Sequence, residues 1–331
     1  MAAFLCFACL SNSCTNGTNV KSKEEKMRQV RVHDSLVDAE VMADANRALF
    51  VVDSLDAAQT DEGELIAYFR ALVYNKKGDK KKTEEWCRKA LANDVLKDEH
   101  PEFFYKVCDL LCTTMTYRDA HEGAMKVAQR GLDVAKTDMS EEGRHWMAVL
   151  LHDVGYCEMQ LGRIDEAEKC FSQAYIALKQ TAAVGQKYVN LHTLARVSYN
   201  IVDAYTSTEQ YDKASEWIES ADDAVELLAE SPECTREMKE DFMGGLAIQR
   251  AMVLVSTGHR AEADAAYNEA MKLSYADTDL GIIERAGYLK KAERWGDLAA
   301  LQSRVDSLSK AWGTPMAQKS HEQSSSKGKE G

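Results

Sequence analysis

Apolar residues recur along most of the chain with the period of an α-helix, in pairs of segments separated by short breaks. The clearest pair runs from Leu151 to Tyr175. Before the break Leu161-Gly162-Arg163, Leu151, Val154, Gly155 and Met159 fall at i, i+3, i+4 and i+8, on one helix face. After it, Ile164, Ala167, Phe171, Ala174 and Tyr175 do the same. The small residues are the informative ones. Gly155 and Ala167 let two antiparallel helices approach closely, and Phe171 fills the space beside them. A hairpin this thin cannot bury its own apolar face, so the pattern predicts neighbours stacked on both sides.

The same register transfers along the chain. Helical periodicity begins near Val30, and Leu36, Ala39, Glu40 and Ala43, then Ala48, Val51, Val52 and Leu55, form a first, degenerate hairpin. In the second, Ala71 and Tyr74 precede Lys77-Gly78-Asp79, and Trp86, Cys87, Ala90 and Leu91 follow, with Thr83 in place of an alanine. The third places Leu111, Cys112 and Met115 before a turn near Arg118, with Ala124, Ala128 and Gly131 after it. In the fifth, Ile201, Ala204 and Tyr205 precede Glu209-Gln210-Tyr211, then Ala214, Ile218 and Ala221. The sixth has Ala251 and Leu254, the turn Thr257-Gly258-His259, then Ala263, Tyr267 and Ala270. A last hairpin uses Tyr288, Leu289 and Ala292 before Trp295-Gly296-Asp297, then Leu298, Leu301, Val305 and Leu308.

A helical hairpin that closes on the step Ala167-x3-Phe171 resembles the tetratricopeptide repeat (TPR). The resemblance implies an all-α fold, a TPR-like right-handed α-solenoid of about six to seven helical hairpins, covering residues 30–310. The position of Ala167 recurs at Thr83, Ala124, Ala214 and Ala263, at spacings of 41, 43, 47 and 49 residues. A standard repeat has about 34. The excess is expected in longer helices or in the links 95–102, 135–142 and 228–236. Asp98, Glu99, Asp138, Glu141 and Glu142 in these links suit helix N-termini, where the helix dipole favours negative charge.

In arrays of this kind the first helix of each hairpin lines a concave groove. Carrying that register across selects Tyr68 and Asn75, Asp109 and Tyr117, His152 and Tyr156, then Arg196, Tyr199 and Asp203 as the partner-binding groove. Aromatic and hydrogen-bonding side chains suit recognition of a protein or peptide. Of these residues, His152 is the one whose ordinary titration lies near neutral pH. The Lys and Asn clamp with which some TPR chaperone adaptors hold a C-terminal carboxylate is not reproduced.

Composition narrows the function classes. Hydrophobic residues make up 45% and charged residues 29%, as in ordinary folded proteins, and only 3 Pro interrupt the helices. The net charge of −13 repels phosphate backbones and anionic lipid, which argues against a nucleic-acid partner. No apolar run reaches the ~18 residues of a membrane-spanning helix. Of the 9 Cys, Cys6 and Cys9 alone have C-x-x-C spacing, and they lie in the apolar N-terminal run; Cys108 and Cys112 share a helix face without a His to complete a zinc site, and the thiols read as small hydrophobes. His145 and His152 lie seven apart on one helix and read as a solvated or groove-facing pair. The basic run Lys76 to Lys82 sits on a turn and reads as a solvated loop. No phosphate-binding loop, H-E-x-x-H or G-x-S-x-G motif is present, so the expectation is a binding module with no cofactor, not an enzyme.

The N-terminus adds a targeting expectation. Ala2 to Leu10 is a short apolar run of the length of a signal-peptide core, and Ser11-Asn12-Ser13-Cys14 after it resembles a bacterial lipoprotein cleavage site, with Cys14 as the lipidated residue. Residues 1–14 then form a leader, 15–29 a flexible tether and 311–331 a disordered tail. The segments around Asp38-Ala39-Glu40 and Trp295-Gly296-Asp297 resemble exported TPR arrays of Gram-negative bacteria. That resemblance implies a protein lipid-anchored in the cell envelope, on the periplasmic side or at the outer membrane, that touches the membrane through its anchor alone. Its alternatives are the input region of a TPR histidine-kinase sensor and a cytosolic TPR adaptor.

Overall fold

The computed structural model describes residues 23–59, 61–183 and 187–312. Among them the chain forms fifteen α-helices, one short 3-10 helix and no strand. The helices pair in order: α1 (Lys23–Ala43) with α2 (Ala45–Ala57), α3 (Gly63–Lys76) with α4 (Lys80–Ala90), then a one-turn α5 (Val95–Glu99). Next come α6 (Pro101–Thr116) with α7 (His121–Ala135), α8 (Glu141–Gln160) with α9 (Ile164–Ala183) and α10 (Tyr188–Ser207) with α11 (Tyr211–Ala229). Finally α12 (Arg236–Ser256) pairs with α13 (Arg260–Ala270), and after the 3-10 turn Ser274–Asp277, α14 (Asp279–Lys291) pairs with α15 (Trp295–Trp312). Each pair also packs on the next, giving a TPR-like α-solenoid of seven hairpins.

One turn design repeats in six of the seven pairs. A single residue takes the left-handed conformation: Gly78, Asp119, Gly162, Glu209, Gly258 and Glu293. The amide that follows reaches back to the carbonyl five residues earlier, as in Arg163 N to Glu158 O at 2.9 Å and Gln210 N to Tyr205 O at 2.8 Å. This is the Schellman closure, which satisfies the last carbonyls of the first helix and reverses the chain. The left-handed residue is glycine where no Cβ cost is incurred; Glu209 and Glu293 hold it with a Cβ. Five residues beyond it comes the small buried residue of the second helix, and Thr83, Ala124, Ala167, Ala214 and Ala263 are all fully buried. Thr83 fits the alanine position because its hydroxyl donates to the Asp79 carbonyl at 2.9 Å.

Close approach is what these small residues provide. A Cβ on Gly155 of α8 would lie 2.7 Å from the Phe171 ring of α9, inside any tolerable contact. Phe171 is fully buried, and its ring meets the Tyr205 ring edge-on, with centroids 5.8 Å apart, so it joins the fourth hairpin to α10 of the fifth. Burying such a ring contributes about 2–3 kcal/mol.

The structure corrects several details. Residues 23–29, assigned to the tether, belong to α1, and residues 311–312, assigned to the tail, belong to α15. The last turn is not Trp295-Gly296-Asp297, which opens α15, but the left-handed step at Glu293. Asp98 falls in the first turn of the one-turn α5, Glu99 ends that helix instead of starting one, and Glu141 and Glu142 occupy the first turn of α8. The excess length appears mostly as helices of 19 to 21 residues from α8 to α12. The leader, Cys14 and residues 313–331 lie outside the described residues. No described helix is long and apolar enough to cross a membrane.

Replacing Ala167 with Phe should overpack the α8–α9 contact and cost about 1–3 kcal/mol. Urea unfolding followed by circular dichroism checks this; a variant as stable as wild type would place Ala167 away from the helix contact.

Candidate functional site: a carboxyl- and tyrosine-lined cavity in the groove

The first helices of successive hairpins line the concave side. Four of them, α6, α8, α10 and α14, enclose a cavity of about 560 Å³. From α6 come Thr113, Thr116 and Tyr117, and from α8 His152, Asp153 and Tyr156. Tyr199, Asn200 and Asp203 line it from α10, and Leu280, Ile283 and Glu284 close it from α14. That volume lies within the range of compact ligand sites.

Helix α12 lies between α10 and α14 yet barely reaches the lining, and its sequence says why. Gly244 and Gly245 present bare backbone. A Cβ on Gly245 would sit 2.7 Å from the Tyr199 ring, and one on Gly244 would sit 2.6 Å from Cβ of Tyr275 in the 3-10 turn. Over this low wall the Tyr199 hydroxyl donates to Glu284 Oε1 and lies 3.2 Å from the Tyr275 hydroxyl. One turn further along α12, Gln249 Nε2 donates to Asp203 at 3.0 Å and to Glu284 at 3.4 Å. Two glycines thus let a tyrosine tie α10 to α14.

Burial governs the electrostatics. It pushes the Glu284 carboxyl up to about 8, further raised by the nearby charge of Asp203, although Tyr199 and Gln249 donate to it. Asp109 and Asp153 are both pushed up to about 7, chiefly by burial; they share a hydrogen bond, and the Arg196 charge pulls each partly back. Asp203 is raised for the same reason, with Gln249 lowering it in part. His152, only 6% exposed, moves the other way: burial and the Arg196 charge drive it to about 3, so it is a neutral imidazole whose Nδ1 lies 3.1 Å from Asp153 Oδ1. Titration in the groove near neutral pH therefore belongs to carboxyls, not to His152, which corrects the expectation drawn from its residue type.

The structure brings together Tyr117, His152, Tyr156, Tyr199 and Asp203 around one cavity. Asp109 lies against Asp153, and Arg196 is close enough to shift both carboxyls and His152. Two residues are placed elsewhere. Tyr68 is buried beneath α1, packed on Phe103, with Asp34 and Asp38 of α1 among the charges around it. Helix α1 covers this end of the groove and is pinned to α6 by Lys106 on Asp34 at 2.8 Å and Arg31 on Glu102 at 3.1 Å. Asn75 accepts from Lys80 at 3.0 Å across the α3–α4 turn. Sequence reasoning missed Asp153, Asn200, Gln249 and Glu284. The pair Gly244-Gly245 was the available signal, since bare backbone in a long helix marks a close neighbour.

A larger hollow of about 730 Å³ lies between α5, α7 and α8, but its Arg130 is held by Asp94 at 3.1 Å and its Lys97 lies 3.9 Å from the same carboxylate. Among the described residues no group of three or more His, Cys, Asp or Glu has the geometry to hold a metal ion.

Comparison with known proteins follows the same lines. The tetratricopeptide-repeat family model matches residues 148–175 and 195–224, so the chain carries TPR repeats at α8–α9 and α10–α11. No curated protein matches the sequence. The fold is similar to the apo form of RapI, at 13% identity and a TM-score of 0.56 over 86% of this chain and 97% of that one. Weaker likenesses are to BtubC from P. vanneervenii (18% identity, TM-score 0.48, 75% and 90% covered) and to kinesin light chain TPR-like repeats from Podosopora anserina (16%, 0.39, 64% and 95%). The likeness to RapI shows the fold alone.

The raised carboxyls make stability pH-dependent with a definite sign. Glu284 rises from its ordinary 4.5 to about 8, so the fold holds a proton the unfolded chain releases. That contribution is complete below pH 4.5 and is lost as pH climbs through 8; Asp109 and Asp153 act in the same sense from 3.8 to about 7. His152 acts oppositely, its contribution being lost as pH falls from 6.5 toward 3. Between pH 6.5 and 8 the wild-type melting temperature should therefore fall, and Glu284→Gln should flatten the slope by the order of 1 kcal/mol per pH unit. Equal slopes in the two proteins would place Glu284 in solvent.

Proposed function

We propose that this chain is a non-catalytic scaffold that binds a protein or peptide in its concave groove, at the cavity enclosed by α6, α8, α10 and α14. The observation that carries this reading is the cavity itself: four helices from four different hairpins converge on it, and three tyrosines line it beside buried hydrogen-bonding groups. A stacked array presents such a surface without moving parts, and tyrosines supply large contact area at low entropic cost. The TPR repeats at residues 148–175 and 195–224 support it, because α8 and α10 are their first helices and carry seven of the sixteen lining residues. The absence of any catalytic motif in the sequence is consistent with binding as the whole activity.

Tyr156 is the residue to test, since it lines the cavity and makes no side-chain hydrogen bond on which the fold depends. Tyr156→Ala should weaken a partner recovered by affinity capture at least tenfold in a purified binding assay, with little change in melting temperature. Unchanged affinity in Tyr156→Ala, while a variant in the hollow between α5, α7 and α8 such as Gln129→Ala abolishes capture, would move the interface off the groove.

We also propose that the protein reaches the cell envelope through lipidation at Cys14, a reading supported by the apolar run Ala2 to Leu10 and by the small residue Ser13. The mature chain should then begin at Cys14 and label with palmitate, and Cys14→Ser should leave an unprocessed precursor. Intact Met1 on the purified wild-type protein overturns the proposal.

A further inference from the structure

We propose that the groove cavity is a receptor for an organic cation, an ammonium or guanidinium group that enters between Asp203 and Glu284 and is flanked by Tyr117, Tyr156 and Tyr199. The inference rests on the groove reading and gives it a ligand chemistry.

The first observation is charge. Asp119, Asp153, Asp203 and Glu284 line the cavity, and no Lys or Arg does. The carboxyls can each ionise against an entering cation, whereas an apolar ligand would strand them. The second is independent of the carboxyls. His152 is 6% exposed and lines the cavity, and its Nε2 has no partner. Its Nδ1 lies 3.1 Å from Asp153 Oδ1; when Asp153 is ionised its carboxylate accepts from Nδ1–H, which leaves Nε2 as an unfilled acceptor. Glu284 repeats the theme: Oε1 takes the bond from Tyr199, and Oε2 is buried without a partner. Buried polar atoms are normally satisfied, so His152 Nε2 as an unfilled acceptor, and Glu284 Oε2 as one once its proton leaves, call for a ligand that brings N–H donors.

The third observation is aromatic. Ammonium and guanidinium groups are held over aromatic faces beside carboxylates. Tyr117 already takes a cation on its ring, the Lys80 ammonium 4.6 Å from the ring centroid. The other rings, Tyr156 and Tyr199, line the interior.

Binding of a cation is linked to proton release. The groups facing Glu284 are Tyr199 of α10, Tyr275 of the 3-10 turn, Asp203 of α10 and Gln249 of α12; none carries a positive charge. Without ligand, burial keeps the Glu284 proton in place. When a cation enters, the Glu284 O–H bond ionises, the proton passes to the buffer, and the ligand charge replaces it in the site.

Two sources present this chemistry, a free polyamine and a basic side chain of a short peptide. Calorimetry on the full chain at pH 7, in phosphate and in Tris, with spermidine, Gly-Arg-Gly and the neutral isostere Gly-citrulline-Gly distinguishes them. The expected result is that a cationic probe binds, with an apparent enthalpy that differs between the two buffers because a proton is released, and that Glu284→Gln and Asp203→Asn each weaken it at least tenfold. Tighter spermidine identifies a free amine, and tighter Gly-Arg-Gly a peptide side chain. Should Glu284→Gln fail to fold, Asp203→Asn carries the comparison. Absence of binding by both cations at millimolar concentration, equal binding of the citrulline peptide, or undiminished binding in both variants overturns the cation site. A protein partner that Tyr156→Ala releases, in a protein deaf to both cations, overturns this assignment and leaves the groove reading standing.

Discussion

The contact between the Tyr199 ring and the bare backbone of Gly245 shapes the site. Any side chain at position 245 would start 2.7 Å from the ring. Because it starts with nothing, Tyr199 crosses α12 at Gly245 and bonds to Glu284 on the far side. That bond draws α14 onto the cavity, where Leu280 and Ile283 join residues of α6 from four hairpins earlier. Enclosure removes water, and removal of water raises the carboxyls of Glu284 and Asp203. Shape and electrostatics of the groove thus follow from one missing Cβ and its neighbour.

The scaffold beneath is built by repetition of a cheaper device. A left-handed residue closes the first helix, and five residues later a small buried one lets the second helix approach. The device fixes each hairpin locally and leaves its first helix free to carry any side chain on the concave face. The fourth hairpin spends that freedom on His152, Asp153 and Tyr156, the fifth on Tyr199, Asn200 and Asp203. The last hairpin departs from the device, with Leu298 where the others have a small residue. Polar groups in the groove are costly when unpaired, and that cost is the physical ground for proposing it as the binding surface.

How far the sequence could be read follows from the range of each interaction. The hairpins were legible because their signals are local: Gly162 and Gly258 at turns, Ala167 and Phe171 at one contact. The middle of the groove was legible too, since Tyr117, His152, Tyr156, Tyr199 and Asp203 follow from register within single hairpins. Its ends were not. Tyr68 obeys the register but is covered by α1, held down through Asp34 and Lys106, a pairing across 72 positions that periodicity does not reveal. Glu284 enters because of glycines on a different helix. The last turn was misplaced for a local reason: Gly296 attracted the assignment, whereas the chain reverses at Glu293, a residue with no preference for the left-handed region.

Carboxyl-carbon NMR titration of Glu284, in the wild type and in Gly245→Ala, tests the account most directly. The midpoint should lie near 8 in the wild type and shift toward the ordinary 4.5 in Gly245→Ala, as the displaced Tyr199 ring lets α14 lift and water enter. A wild-type midpoint near 4.5, or a midpoint that Gly245→Ala leaves unmoved, would contradict it.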